Sequence, residues 1–165
     1  MKNLLLIFLI LFTQRLFAQT GSLDSTFGDN GVASFFALPI IEILLQPDGK
    51  ILINTDSSIN RFNGDGSIDS SFNQQMNNPV YDPRMGIRAD GKILLATAAQ
   101  ISQYNSDGTI DNSFGQQGTV SIYFYYPLKV LIQPDDKFVL LTANGYGYLS
   151  LLRCHLRAVS SEKKS

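Results

Sequence analysis

The residues best placed to do chemistry are acids and amides gathered on short glycine turns, and the chemistry they suggest is calcium binding. Asn63-Gly64-Asp65-Gly66-Ser67-Ile68-Asp69 sets oxygens at positions three, five and nine of a twelve-residue loop, with glycine at six. Such a loop also needs an acid at position one and a bidentate acid at twelve. Those places hold Arg61 and Phe72, and in a second version of the turn Gln103 and Phe114. A cation repels calcium and a phenyl ring offers no oxygen, so the motif reads as a polar turn above a packed phenylalanine. The single histidine, His155, has no Ser or Asp at an interpretable spacing, and a general base must be held within hydrogen-bond reach by a rigid scaffold. The single cysteine, Cys154, excludes an internal disulfide and, with one histidine, leaves too few ligands for zinc. It reads as a small apolar residue in a terminal strand. No catalytic residue, cofactor or metal ligand is expected, and the chain does not read as an enzyme.

The elements that carry these turns recur. Leu23-Asp24-Ser25-Thr26-Phe27-Gly28 returns as Ile68-Asp69-Ser70-Ser71-Phe72-Asn73 and as Ile110-Asp111-Asn112-Ser113-Phe114-Gly115, after steps of 45 and 42 residues. Pro47-Asp48-Gly49-Lys50-Ile51-Leu52-Ile53 returns from Ala89 and from Pro134. Ser58-Ile59-Asn60-Arg61-Phe62 returns from Gln100 and from Ser150. The aspartates of the first block therefore occur once per repeat, and residues repeated in every copy serve the fold: Asp24, Asp69 and Asp111 are read as bonding the turns between copies. From the lysine of the second block to the fourth residue of the third is 11, 11 and 16 residues, so the last copy carries five extra residues, around Asn144-Gly145-Tyr146-Gly147. Length changes of this kind fall in loops.

Within a copy, apolar and β-branched runs of four to seven residues are bounded by Gly, Pro, Asp and Asn, the pattern of short strands. The first set is Val32–Phe36, Ile40–Gln46, Lys50–Thr55 and Ser58–Phe62. Pro47-Asp48-Gly49 is a turn in which proline presets φ, aspartate bonds its own backbone and glycine accepts positive φ. Asp136 replaces that glycine in the third copy. No helical periodicity is sustained after Ala18. Four strands in about 42 residues make one propeller blade. The predicted fold is all-β: three four-stranded propeller-like blades, a partial β-propeller, over about 22–66, 67–108 and 109–155.

LDSTFG, QPDGKILI and RFNGDGSID resemble the delta-60 repeat, a bacterial exported β-propeller family of unknown function, over about Ser22 to Cys154. The resemblance implies blades stacked around a channel in exported or displayed proteins, and implies no reaction or ligand. This sequence departs from the family in having three repeats, and in losing the Asn-x-Asp-Gly turn after Cys154. Residues 156–165 show no strand pattern and are expected to be disordered, an abrupt loss that also fits a shortened gene.

Met1-Lys2-Asn3, then the nine apolar residues Leu4–Phe12, then a polar stretch to Ala18, have the layout of a secretory signal peptide cut after residue 18. Nine residues at a helical rise of about 1.5 Å cannot cross a hydrocarbon core of about 30 Å. Export to the periplasm, cell surface or medium is expected, without stable membrane insertion after cleavage. Losing Lys2 and Arg15 would lower Lys plus Arg from 13 to 11 against 14 acids, which supplies no basic field for nucleic acid. Tyr123-Phe124-Tyr125-Tyr126 and Tyr146-x-Tyr148 concentrate aromatics in the third copy, either as a strand with one face in the core or as an exposed patch for a glycan or protein. Three blades cannot comfortably close a ring of the usual four to eight. The first is then expected to expose Val32–Phe36 and Ile40–Leu45, and the third Val139, Leu141 and Leu151, which favours a second copy or a larger partner. The function expected is a non-catalytic exported interaction module; the alternative is a truncated fragment of a larger propeller without activity of its own.

Overall fold

The computed structural model describes residues 21–35, 39–55, 58–72, 83–122, 126–135 and 137–155. The leader, the segment after Phe72, Tyr123–Tyr125, Asp136 and the tail lie outside the described residues.

The described chain is all-β, with strands and turns only. Strands β1 (Ile40–Leu45), β2 (Ile51–Thr55) and β3 (Ile59–Phe62) form one antiparallel sheet in that order. β4 (Arg84–Ile87), β5 (Ile93–Ala96), β6 (Gln100–Tyr104) and β7 (Thr119–Ser121) form the second. β8 (Tyr126–Ile132), β9 (Lys137–Ala143) and β10 (Leu149–His155) form the third. Three antiparallel sheets, built from successive repeats and packed in a row, are the arrangement of a partial β-propeller.

The turn chemistry was legible in the residues. Gly49 and Gly91 sit at φ 85° and 83°. Gly49 N–H donates to Gln46 O at 2.9 Å, and Gly91 N–H to Arg88 O at 2.9 Å. These are the second-block turns joining the first two strands of each sheet. The five extra residues fall where expected, in the β9–β10 hairpin, whose loop closes with Asn144 N–H on Tyr148 O at 3.0 Å.

Alternation of side chains gives each sheet two apolar faces. Leu52, Ile59 and Phe72 pack on Met85, Ile93 and Leu95 between the first and second sheets. Leu94, Ala96, Ile101 and Phe114 pack on Val130, Phe138 and Leu140 between the second and third. The first strands β1, β4 and β8 lie side by side. At their closest approach a Cβ on Gly86 would stand 2.8 Å from Val130 Cγ1.

The second sheet has four strands, and the first and third have three each among the described residues. One expectation is corrected: the run from Val32 is not a strand, for Val32 makes isolated bridges to Gly28 and Asp29, and 33–35 are not strand. The second sheet supplies the reason. Its fourth strand, β7, follows the third copy of the aspartate block yet pairs back onto β6, with Gln100 opposite Ser121 and Ser102 opposite Thr119. The third repeat therefore opens with the closing strand of the second sheet. The sheet boundary does not coincide with the repeat boundary at 108–109, and Val32–Phe35 has no preceding sheet edge among the described residues.

Candidate functional site

The aspartate blocks are built alike. Asp69 Oδ1 accepts Ser71 N–H at 3.0 Å and its hydroxyl at 2.6 Å; Asp111 Oδ1 accepts Ser113 N–H at 3.0 Å and its hydroxyl at 2.6 Å. The second oxygen reaches the preceding sheet. Asp69 Oδ2 takes Arg61 Nε at 2.9 Å and Nη2 at 2.8 Å, with Lys50 Nζ at 3.9 Å. Asp111 Oδ2 takes Gln103 Nε2 at 2.6 Å and Lys92 Nζ at 2.8 Å. Where glutamine replaces the guanidinium, the lysine moves in and supplies the charge. The Ser71 hydroxyl leads in holding the Asp69 carboxyl below the ordinary carboxylate value. Burial works to raise Asp111, but hydrogen bonds from Lys92, Ser113 and Gln103 outweigh it and hold that carboxyl far below the usual range. These are structural clasps, as their repetition implied. Arg61 Nη1 also donates to Ser106 O, and the guanidinium lies 4.6 Å from the Phe72 ring centroid, so one side chain joins two repeats. The clasp partners at the fourth position of the third block went unread in the sequence, although a polar residue recurring inside an apolar strand was the available signal.

The calcium-like loops spend their oxygens internally. Asp65 Oδ1 accepts Ser67 N–H at 2.9 Å and its hydroxyl at 2.7 Å, and Asp107 does the same for Thr109. Arg61 and Phe72 occupy positions one and twelve as a stacked, buried pair. Among the described residues no cluster of three or more His, Cys, Asp or Glu side chains could hold a metal ion. His155 is the last residue of β10 and is exposed. Cys154 packs beside the second core cluster, where burial pushes its thiol up, away from the reactive thiolate.

A charged side chain recurs at one place on the inner strands: Glu42, Arg84 and Lys129. Glu42 Oε2 accepts Met85 N–H at 2.8 Å while Lys129 Nζ pairs with Oε1, so one largely buried carboxylate ties three sheets. A cleft of about 190 Å³ lies at the turn end, between Pro47-Asp48 and Ala89-Asp90-Gly91. Its wall is bridged by Gln46, whose Nε2 donates to Gly91 O at 3.3 Å and Ser106 O at 3.2 Å.

Exposed apolar surface lies in two settings. The outer sheets carry bare faces: Ile40, Ile43 and Leu45 on the first, Leu131 and Leu151 on the third, with Val139 and Leu141 half-buried. At the hairpin end of the third sheet Tyr126, Tyr146 and Tyr148 are 61%, 86% and 72% exposed. Tyr126 opposes Ala143, which opposes Leu149, so β8 brings its tyrosine to the same end as the lengthened loop. Of the two readings of the aromatic concentration, exposure holds for these three rings; residues 123–125 lie outside the described residues.

A family model described as a domain of unknown function (DUF5122) beta-propeller matches residues 46–72 and 88–114. Each matched segment runs from the second-block turn through two strands to the buried phenylalanine of the aspartate block. The match supports a β-propeller repeat. A search of curated proteins finds no match.

Proposed function

We propose that this chain is an exported, non-catalytic interaction module of the delta-60 type, which presents the third-sheet hairpin to a protein or glycan. The observation that carries this reading is the trio Tyr126, Tyr146 and Tyr148, exposed at the end of the third sheet where the β9–β10 hairpin is longer than in the other repeats. Tyrosine offers large contact area and a polar tip at low entropic cost, the composition of recognition surfaces. Support against catalysis comes from the aspartates, whose second oxygens are taken up in clasps, and from His155, which has no bonded partner among the described residues. The expected leader supports export. The test is a glycan array and a panel of cell-envelope proteins probed with the purified chain. Saturable binding lost in Tyr146→Ser/Tyr148→Ser supports the reading; turnover of an array member would replace it with an enzyme. A second reading, a piece of a longer propeller, is favoured by the bare faces of both outer sheets. Further aspartate blocks encoded in the adjacent DNA would establish it.

A further inference from the structure

The structure contains one element twice, seated in one place and bare in another. Residues 24–32 and 111–119 share most of their internal bonds. Asp24 Oδ1 accepts Thr26 N–H at 3.0 Å and its hydroxyl at 2.7 Å, as Asp111 does from Ser113. Asp29 and Val32 exchange backbone bonds of 2.8 and 3.1 Å; Gln116 and Thr119 exchange bonds of 2.8 and 3.1 Å. Asn30 and Gln117 both take φ 50°.

The seated copy is held by β6. Asp111 N–H donates to Gln103 O at 2.9 Å, Gln103 N–H donates to Gly118 O at 2.9 Å, and the carboxylate is clasped as described. The bare copy has only its opposite side engaged. Gly28 N–H donates to Asp65 O at 2.7 Å and the Phe35 ring lies 4.7 Å from Phe62, which fixes the element on the front of the first sheet. Among the described residues its carboxylate bonds Thr26 alone, and Val32 is exposed.

We propose that residues 23–35 of one chain seat on β10 of a second copy, and reciprocally, closing a two-chain ring of six sheets. β10 has the matching receptor. Arg153 stands where Arg61 and Gln103 stand, and Lys137 where Lys50 and Lys92 stand. Arg153 has no hydrogen bond or ion pair among the described residues. At the two seated aspartates, Asp69 and Asp111, the carboxylate meets the residues at these two positions; Arg153 and Lys137, the latter paired with Asp135 in the single chain, therefore complement Asp24 in charge and in place. The β6–β7 register carries over as Val32 opposite Leu152 and Ser34 opposite Ser150. The apolar faces complement each other as well: Ile43 and Leu45 hold the places of Met85 and Ile87, which pack on Leu44 and Ile59, and Leu131 and Leu151 hold the places of Leu44 and Ile59. Six sheets fall within the four to eight that close a propeller, and a two-fold ring uses the same interface twice. This inference goes beyond the module reading and uses none of the three tyrosines.

The test is the mass of the full chain, purified after export, by sedimentation equilibrium. The expected result is a dimer that Asp24→Arg and Arg153→Asp each weaken by about tenfold or more. Combining the two substitutions, or mixing the two single variants, restores it. Both side chains are exposed in the single chain, and circular dichroism checks that each variant keeps its strands. A second measurement is independent of those variants: Ser34→Cys with Ser150→Cys yields a covalent dimer on oxidation, and neither substitution alone does. A one-chain mass with a sharp melt overturns the proposal, as does a dimer indifferent to both charge changes or a cysteine pair that fails to join. Glycan or protein binding by such a monomer leaves the module reading standing.

Discussion

At the scale of single residues, the clasps make stability depend on ionised carboxylates. Asp69 and Asp111 are held below the ordinary value of 3.8, so the folded state favours their charged forms. That contribution is complete above the unfolded carboxylate range and is lost as pH falls below it toward the folded-state values. The urea midpoint is expected to hold steady from neutrality to about pH 5 and to drop on further acidification. Asp111→Asn should flatten this acid limb while costing about 1–3 kcal/mol at pH 7, because Lys92 and Gln103 lose their acceptor. An acid limb unchanged in that variant would place the titration elsewhere. Calcium should have no effect in the same measurements. Asp65 and Asp107 already accept two bonds each within their turns, and calorimetry is expected to show no saturable site in the micromolar range. A site removed by Asp65→Ala would refute this.

At the scale of elements, two glycines act for different reasons. A Cβ added at Gly49 would meet nothing within 4 Å, so only the φ of 85° is at stake there. Gly49→Val should cost about 1 kcal/mol or more through backbone strain, read as a lowered melting temperature. Gly86 has an ordinary φ but almost no space against Val130 and Ile132. Gly86→Val improves strand propensity, yet is expected to destabilise by about 1–3 kcal/mol through overpacking. Equal or raised stability in urea would show that β4 and β8 can part. The first glycine was legible in the sequence, because a Pro-Asp-Gly turn states its own dihedral. The second was not, since close approach of two strands 44 residues apart is set by how sheets stack.

At the scale of the whole molecule, the repeats disclosed the class of fold, the strand lengths and the place of the extra loop. They did not disclose which sheet a strand joins. Val32–Phe36 reads as the first strand of its copy, and period and composition are the same whichever neighbour such a strand pairs with. Only the hydrogen bonds from β6 to β7 decide. The clasp escaped for a related reason: Arg61, Gln103 and Arg153 share a position but not a residue type, so the pattern lay in place rather than in letters. If the two-chain ring forms, folding and association are linked by mass action. The melting temperature should then rise with protein concentration, whereas a chain complete in itself would melt at the same temperature after a hundredfold dilution.

The offset between repeat and sheet also governs what happens when the backbone is cut. A protease nick in the exposed Ser106-Asp107 turn leaves β4–β6 on one fragment and β7–β10 on the other. The covalent joint would be gone, but the second fragment still lends β7 to the first one's sheet, and the apolar layer around Leu94 and Val130 spans both. At this joint the units overlap like courses of brickwork, with no seam running through both the covalent chain and the hydrogen bonds. The nicked protein should therefore elute as one species in native buffer and separate only in denaturant.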